Sequence, residues 1–148
     1  VARDYLENAI ILDGDQIIHN ERILTSEFCQ SGYNSVWTSE ETDEWLQTVK
    51  DGIVTACSRV GGKCGWQLYS ISRWTAEDGR KLKKHLELEF EQRHHTQIYW
   101  DDIVMFCHPE EYQLGIFEMQ ADDVIEIDSL DELIDLDNSY ECFREKEE

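Results

Sequence analysis

The chain has 148 residues, room for one ordinary domain. Acids outnumber bases 33 to 13, and the formal charge of −20 argues against nucleic acid and anionic membranes, which both need cationic surface. The hydrophobic fraction of 41% is modest, but five Trp, six Tyr and five Phe can fill a core, and no run approaches the ~18 apolar residues of a membrane span.

The five cysteines are odd in number and contain no C-x-x-C pair. Reduced thiols in a cytoplasmic protein are the simplest account. No signal peptide is visible, and the chain opens at Val1 rather than Met.

Val1 to Glu7 has the mixed charge of a helix end. Asn8 to Leu12 is continuously apolar after Asn8, the pattern of a strand buried on both faces in a parallel sheet. It ends in Asp13-Gly14-Asp15. Such a tripeptide suits a turn. Beyond the carboxyl end of a strand in an open α/β sheet, it equally suits a hard cation such as Mg²⁺. Gln16 to Asn20 is a short strand or turn. Glu21 to Gln30 can form a brief helix packing Ile23, Leu24 and Phe28. Gly32 to Thr38 alternates as a strand.

Glu44 to Val49 and Ile53 to Ser58 read as strands joined at Lys50-Asp51-Gly52, a strong hairpin signal. Gly61 to Lys63 is a loop, and Trp66 to Trp74 is the longest strand candidate. Thr75 caps a helix, with Asp78 three residues on. That helix runs to about Arg93 and carries Leu82, Leu86 and Phe90 on one face. His94 to Gln97 connects to a second helix over Tyr99 to Cys107, which stops before Pro109. Leu114 to Met119 and Val124 to Ile127 are strands. Ser129 to Leu136 is a helix with a full capping box, Ser129 and Glu132, and the charged tail from Glu141 to Glu148 frays. Hairpin strands among alternating helices and strands indicate a mixed α/β sheet with flanking helices. The apolar strand before Asp13 reads as a central one with neighbours missing, as in the second half of a larger domain.

Asp101-Asp102 forms a second acidic pair. It can favour a helix start, or join Asp13 and Asp15 around one metal. Trp beside an acid, as in Glu44-Trp45 and Trp100-Asp101, has the chemistry of a quaternary ammonium cage, although most aromatics simply pack. Adjacent His94 and His95 cannot share one face, and neither a zinc spacing, a G-x-S-x-G nor a P-loop is present.

ILDGDQIIHN, SGYNSVWTSEETDEWL, SISRW, QIYWDD and VIEIDSLDELIDLDNSY together resemble the C-terminal part of the bacterial choline-phosphate cytidylyltransferases. These are Rossmann-like nucleotidyltransferases, and the likeness covers essentially the whole chain. It implies transfer from CTP to phosphocholine with Mg²⁺, giving CDP-choline and pyrophosphate. Asp15 matches the family's metal aspartate at a strand end, and Asp101 the second one after Tyr-Trp. Asp13 and Asp102 would be supporting or alternative ligands. The choline cage would use Trp45 and Trp100, with Tyr33, Glu44 or Tyr99 nearby.

The family's glycine-rich nucleotide loop, of L-A-A-G-x-G-T-R type, is not in these residues. The chain is therefore expected to be a C-terminal fragment, inactive alone and prone to form homo-oligomers through an exposed sheet edge. A sugar-1-phosphate or aminoalkylphosphonate nucleotidyltransferase is the alternative enzyme. A non-catalytic acidic binding module is the alternative outside enzymes.

Overall fold

The computed structural model describes residues 2–144. Eight strands form two sheets. The strands are β1 (Ala9–Ile11), β2 (Gln16–Ile18), β3 (Gly32–Thr42), β4 (Leu46–Lys50), β5 (Ile53–Ser58), β6 (Gly62–Trp74), β7 (Gly115–Glu118) and β8 (Val124–Glu126). The main sheet runs β1-β6-β3-β7-β5-β4. Among the described residues only β3 and β7 are parallel; the remaining pairs of this sheet are antiparallel. The first half of β6 also pairs with β4, so the sheet curls back on itself. β2 and β8 form a small antiparallel ribbon.

The hairpin between β4 and β5 turns at Asp51 and Gly52, with φ of 53° and 79°. Two positive φ values are what a tight hairpin needs, and Asp-Gly tolerates them. Helix α1 (Ala76–Leu86) starts under the Thr75 side chain, which accepts a bond from the Asp78 amide. It continues to Gln92 in wide π-type turns. Leu82 is fully buried and Leu86 and Phe90 pack beside it, the face read from the sequence. The wider turns shift the phase and bring Glu89 inside, where its carboxylate meets Arg93, His95 and His108. Helix α2 (Leu130–Leu136) has the complete capping box of Ser129 and Glu132.

Alternating residues of β6 feed two cores, one on each face of the sheet. Trp74 joins Tyr33, Leu82, Ile103, Val104 and Tyr112 on one face. Ile71 joins Ile23, Met119 and Val124 on the other.

Several elements differ from expectation. The strand partner of β1 is antiparallel rather than parallel. β1 pairs with β6 alone, at one end of the sheet among the described residues, and all three of its residues are only partly buried. A short apolar run does not by itself distinguish a doubly covered strand from a partly covered one. The helix expected from Tyr99 begins only at Asp102, because the Asp102 side chain accepts from the Tyr99 amide and holds a turn there. The segment after Asn20 is a single 3-10 turn, Glu21–Leu24, with Ile23 as its buried anchor. Gly62 and Lys63 belong to β6, and β4 starts at Leu46. Ala2–Tyr5 and Asn138–Phe143 are also 3-10 turns. Val1 and the tail residues 145–148 lie outside the described part.

Candidate active site

The β3–β6 register slips between Tyr33 and Ser35, whose partners are Ser72 and Leu68. A slip of this kind bends a strand and re-aims its side chains. Leu68, Tyr69 and Ser70, at the slip, form one wall of an open cleft of about 390 Å³. Four separate segments complete it. The turn after β1 contributes Asp13, the β3–β4 connection Glu44 and Trp45, and the turn before residue 102 Tyr99, Trp100 and Asp101. Glu126 of β8 closes the rim.

The aromatic walls are ordered by packing. Trp45 meets Tyr99 edge-on, with centroids 6.3 Å apart. Trp100 stacks over Tyr33 at 6.4 Å and meets Trp74 edge-on at 6.0 Å. Tyr33 is wholly buried, so it supports the cleft from beneath and does not line it.

Asp101 is 8% exposed, and Tyr33 donates its hydroxyl proton to Asp101 Oδ1 at 2.5 Å. Burial pushes the Asp101 carboxyl up to about 7; the charges of Asp13 and Asp102 add to this, while the Tyr33 hydrogen bond opposes it. Asp13 and Asp101 line the same cleft. The cleft therefore holds a cluster of acids whose repulsion a bound cation would relieve.

Asp102 lies elsewhere. It is 3% exposed, is absent from the cleft lining and forms an ion pair with Arg59 at 2.5 Å. Its other oxygen accepts from the Tyr99 amide at 2.8 Å.

Asp15 also lies outside the cleft lining. It forms an exposed trio with Glu126 and Asp128, whose ligand oxygens all come within 4.8 Å of one another. An all-oxygen, solvent-open donor set fits Mg²⁺, which keeps several waters and shares its shell with phosphates. Partial burial raises the Glu126 carboxyl, as do the charges of Asp128, Asp15, Glu44 and Asp13. Glu126 thus belongs to both groups and joins the trio to the cleft.

Of the residues expected from the sequence, Asp13, Glu44, Trp45, Tyr99, Trp100 and Asp101 converge on one cleft. Tyr33 supports it, Asp15 borders it through Glu126, and Asp102 is turned to Arg59. Glu126 and Asp128 were not anticipated. Their Glu-Ile-Asp spacing repeats that of Asp13-Gly14-Asp15, with two acids on one face of a strand end, and was the available signal.

The mixed sheet and its flanking helices have the α/β fold of the nucleotidyltransferases. Among solved structures, the CTP:phosphocholine cytidylyltransferase of Streptococcus pneumoniae superimposes with a TM-score of 0.78 at 23% identity, over 93% of this chain and 60% of that one. The inositol-1-phosphate CTP transferase of T. maritima gives 0.57 at 13% identity, over 95% and 57%. Among curated proteins, the chain is similar to the 2-aminoethylphosphonate cytidylyltransferase of Lancefieldella rimae, 28% identical over 141 residues. It is also similar to the choline-phosphate cytidylyltransferase of Streptococcus pneumoniae, 23% identical over 130 residues. These alignments take in 94% and 88% of this chain but only 57% and 56% of the relatives. No family model matches the chain.

Proposed function

We propose that the cleft seats the ammonium end of phosphocholine, and that the chain is the acceptor- and metal-binding part of a cytidylyltransferase. The reaction is CTP plus phosphocholine giving CDP-choline and pyrophosphate. A phosphate oxygen of phosphocholine attacks the α-phosphorus of CTP, and the bond to the leaving pyrophosphate breaks. One observation carries the reading: Trp45, Tyr99 and Trp100 converge with Asp13, Glu44 and Asp101 on a single cleft beside a carboxylate trio. A quaternary ammonium has no hydrogen to donate, so ring faces and nearby negative charge are what can hold it.

Asp15, Glu126 and Asp128 are the residues that would hold Mg²⁺, in place of the Asp15–Asp101 pair expected from sequence. The ion would offset phosphate charge beside a surface otherwise repulsive to it. Asp101 and Asp13 then face the ammonium. By this reading nucleotide is held by residues outside these 148, and the chain alone releases no pyrophosphate from CTP. The five free cysteines support a reducing, cytoplasmic setting. The unpaired edge of β1 among the described residues supports self-association.

A second reading is 2-aminoethylphosphonate as acceptor. The relative that carries this activity in its name is the more similar of the two curated proteins, at 28% identity. A primary ammonium donates three hydrogen bonds, and the cleft carboxylates can accept them.

Tryptophan fluorescence titrations of the chain in Mg²⁺ test both readings. Phosphocholine is expected to bind most tightly, and glucose 1-phosphate weakly or not at all. Tighter binding of 2-aminoethylphosphonate would favour the second reading. Preference for the sugar phosphate would reject both.

A further inference from the structure

Two walls of the cleft come from segments far apart in sequence, Trp45 before β4 and Tyr99 before residue 102. One side chain outside the lining touches the structures behind both. Arg59 follows β5, and its guanidinium carbon lies 3.9 Å from the Phe106 ring centre and 5.9 Å from that of Trp45. Phe106 in turn meets Trp45 edge-on at 5.5 Å. The same guanidinium pairs with Asp102 Oδ1 at 2.5 Å, and Asp102 Oδ2 accepts from the backbone amide of Tyr99. A chain of contacts therefore runs from Trp45 through Arg59 and Asp102 to Tyr99, without entering the cleft.

We infer that Arg59 is a positioning residue that, with Asp102, clamps the Trp45 segment to the Tyr99–Asp102 turn and so sets the spacing of the aromatic seat. The planar guanidinium suits this task because it stacks on rings and pairs with a carboxylate at the same time. Lysine keeps the charge but cannot do both. Asp102 is nearly buried, so without Arg59 its charge loses its partner and the turn bearing Tyr99, Trp100 and Asp101 loses its tie. The inference rests on the ammonium reading of the cleft only for what the seat holds; the clamp is a statement about Trp45 and Tyr99.

The test uses R59M, R59K and D102N in the full chain, with folding checked by thermal melting. Choline binding is followed by fluorescence, Mn²⁺ binding by paramagnetic resonance, and the Trp45 indole and Tyr99 amide signals by NMR. R59M is expected to weaken choline binding roughly tenfold, the size of one lost cation–aromatic contact. R59K should recover part of that loss, and Mn²⁺ affinity should stay unchanged. The R59M/D102N double variant should lose no more than the worse single variant, because both substitutions break one link. Wild-type choline affinity in a folded R59M, or additive losses in the double variant, would overturn the clamp. If wild type binds no choline, the proposed function falls and NMR decides the clamp. Shifted Trp45 and Tyr99 signals in both R59M and D102N would support it, and unshifted signals would overturn it. If R59M does not fold, R59K and D102N carry the same comparisons.

Discussion

The buried hydroxyl of Tyr33 donates to Asp101 Oδ1 at 2.5 Å, from beneath the aromatic wall that Trp100 presents to the cleft. One core residue thus fixes both an acid and a ring of the candidate site. Tyr33→Phe keeps the ring packing against Trp74 and Trp100 and removes only the bond. Leaving the buried Asp101 oxygen without its donor is expected to destabilise the chain by about 1–3 kcal/mol. The shift in urea midpoint at unchanged slope measures it.

The high Asp101 value makes stability depend on pH in a defined direction. Unfolded, this carboxyl titrates near 3.8; folded, at about 7. Between those values the folded chain holds a proton that the unfolded chain lacks. The Asp101 contribution is therefore greatest below pH 3.8, falls as pH rises to about 7, and is flat above. Choline affinity should move the opposite way, rising as Asp101 ionises. Asp101→Asn should flatten both profiles through that window, read by urea melts and choline titrations at matched pH.

The Asp15, Glu126 and Asp128 trio should bind Mn²⁺ or Mg²⁺ in the chain alone. Asp128→Asn is expected to lose at least the roughly tenfold that even an outer partner of a metal ligand contributes. Chelation should abolish phosphocholine binding and spare choline, which carries no phosphate. Calorimetric titrations with and without chelator separate the two cases. Phosphocholine binding left unchanged by chelation would remove the metal from this account.

Gly32 stands where β3 approaches β7, and a Cβ there would lie 2.2 Å from the Gly115 carbonyl oxygen. Backbone cannot yield as a flexible side chain can. Gly32→Ala should cost about 1–3 kcal/mol or more by overpacking the parallel pair. Thermal melting measures it, and the neighbouring Tyr33 should carry part of the damage into the cleft.

Local signals in the sequence predicted local structure well. Asp51-Gly52 marked the hairpin, Thr75 and Ser129 marked helix starts, and Leu82 marked the buried face of α1. These features depend on residues a few positions apart. The Trp-acid pairs also marked the cleft, because each brings a ring and a charge together whatever the fold. The role of Asp102 depended on Arg59, 43 positions away, and nothing near Asp102 reveals that partner. The place of β1 depended on pairing with β6, a contact between distant residues that an apolar run cannot specify. The separation of Asp15 from the aromatic cleft likewise came from the β2–β8 ribbon, which brings Glu126 close to Asp15.

The central claim is that an ammonium group sits between Trp45, Tyr99 and Trp100. NMR transfer of magnetisation from the N-methyl protons of phosphocholine to assigned ring protons tests it most directly. The account predicts contacts to those three rings, lost when Trp45 or Trp100 is replaced by Ala. Contacts instead to the Trp37 and Trp66 pair, which does not line the cleft, or no contacts from a ligand shown to bind, would contradict it.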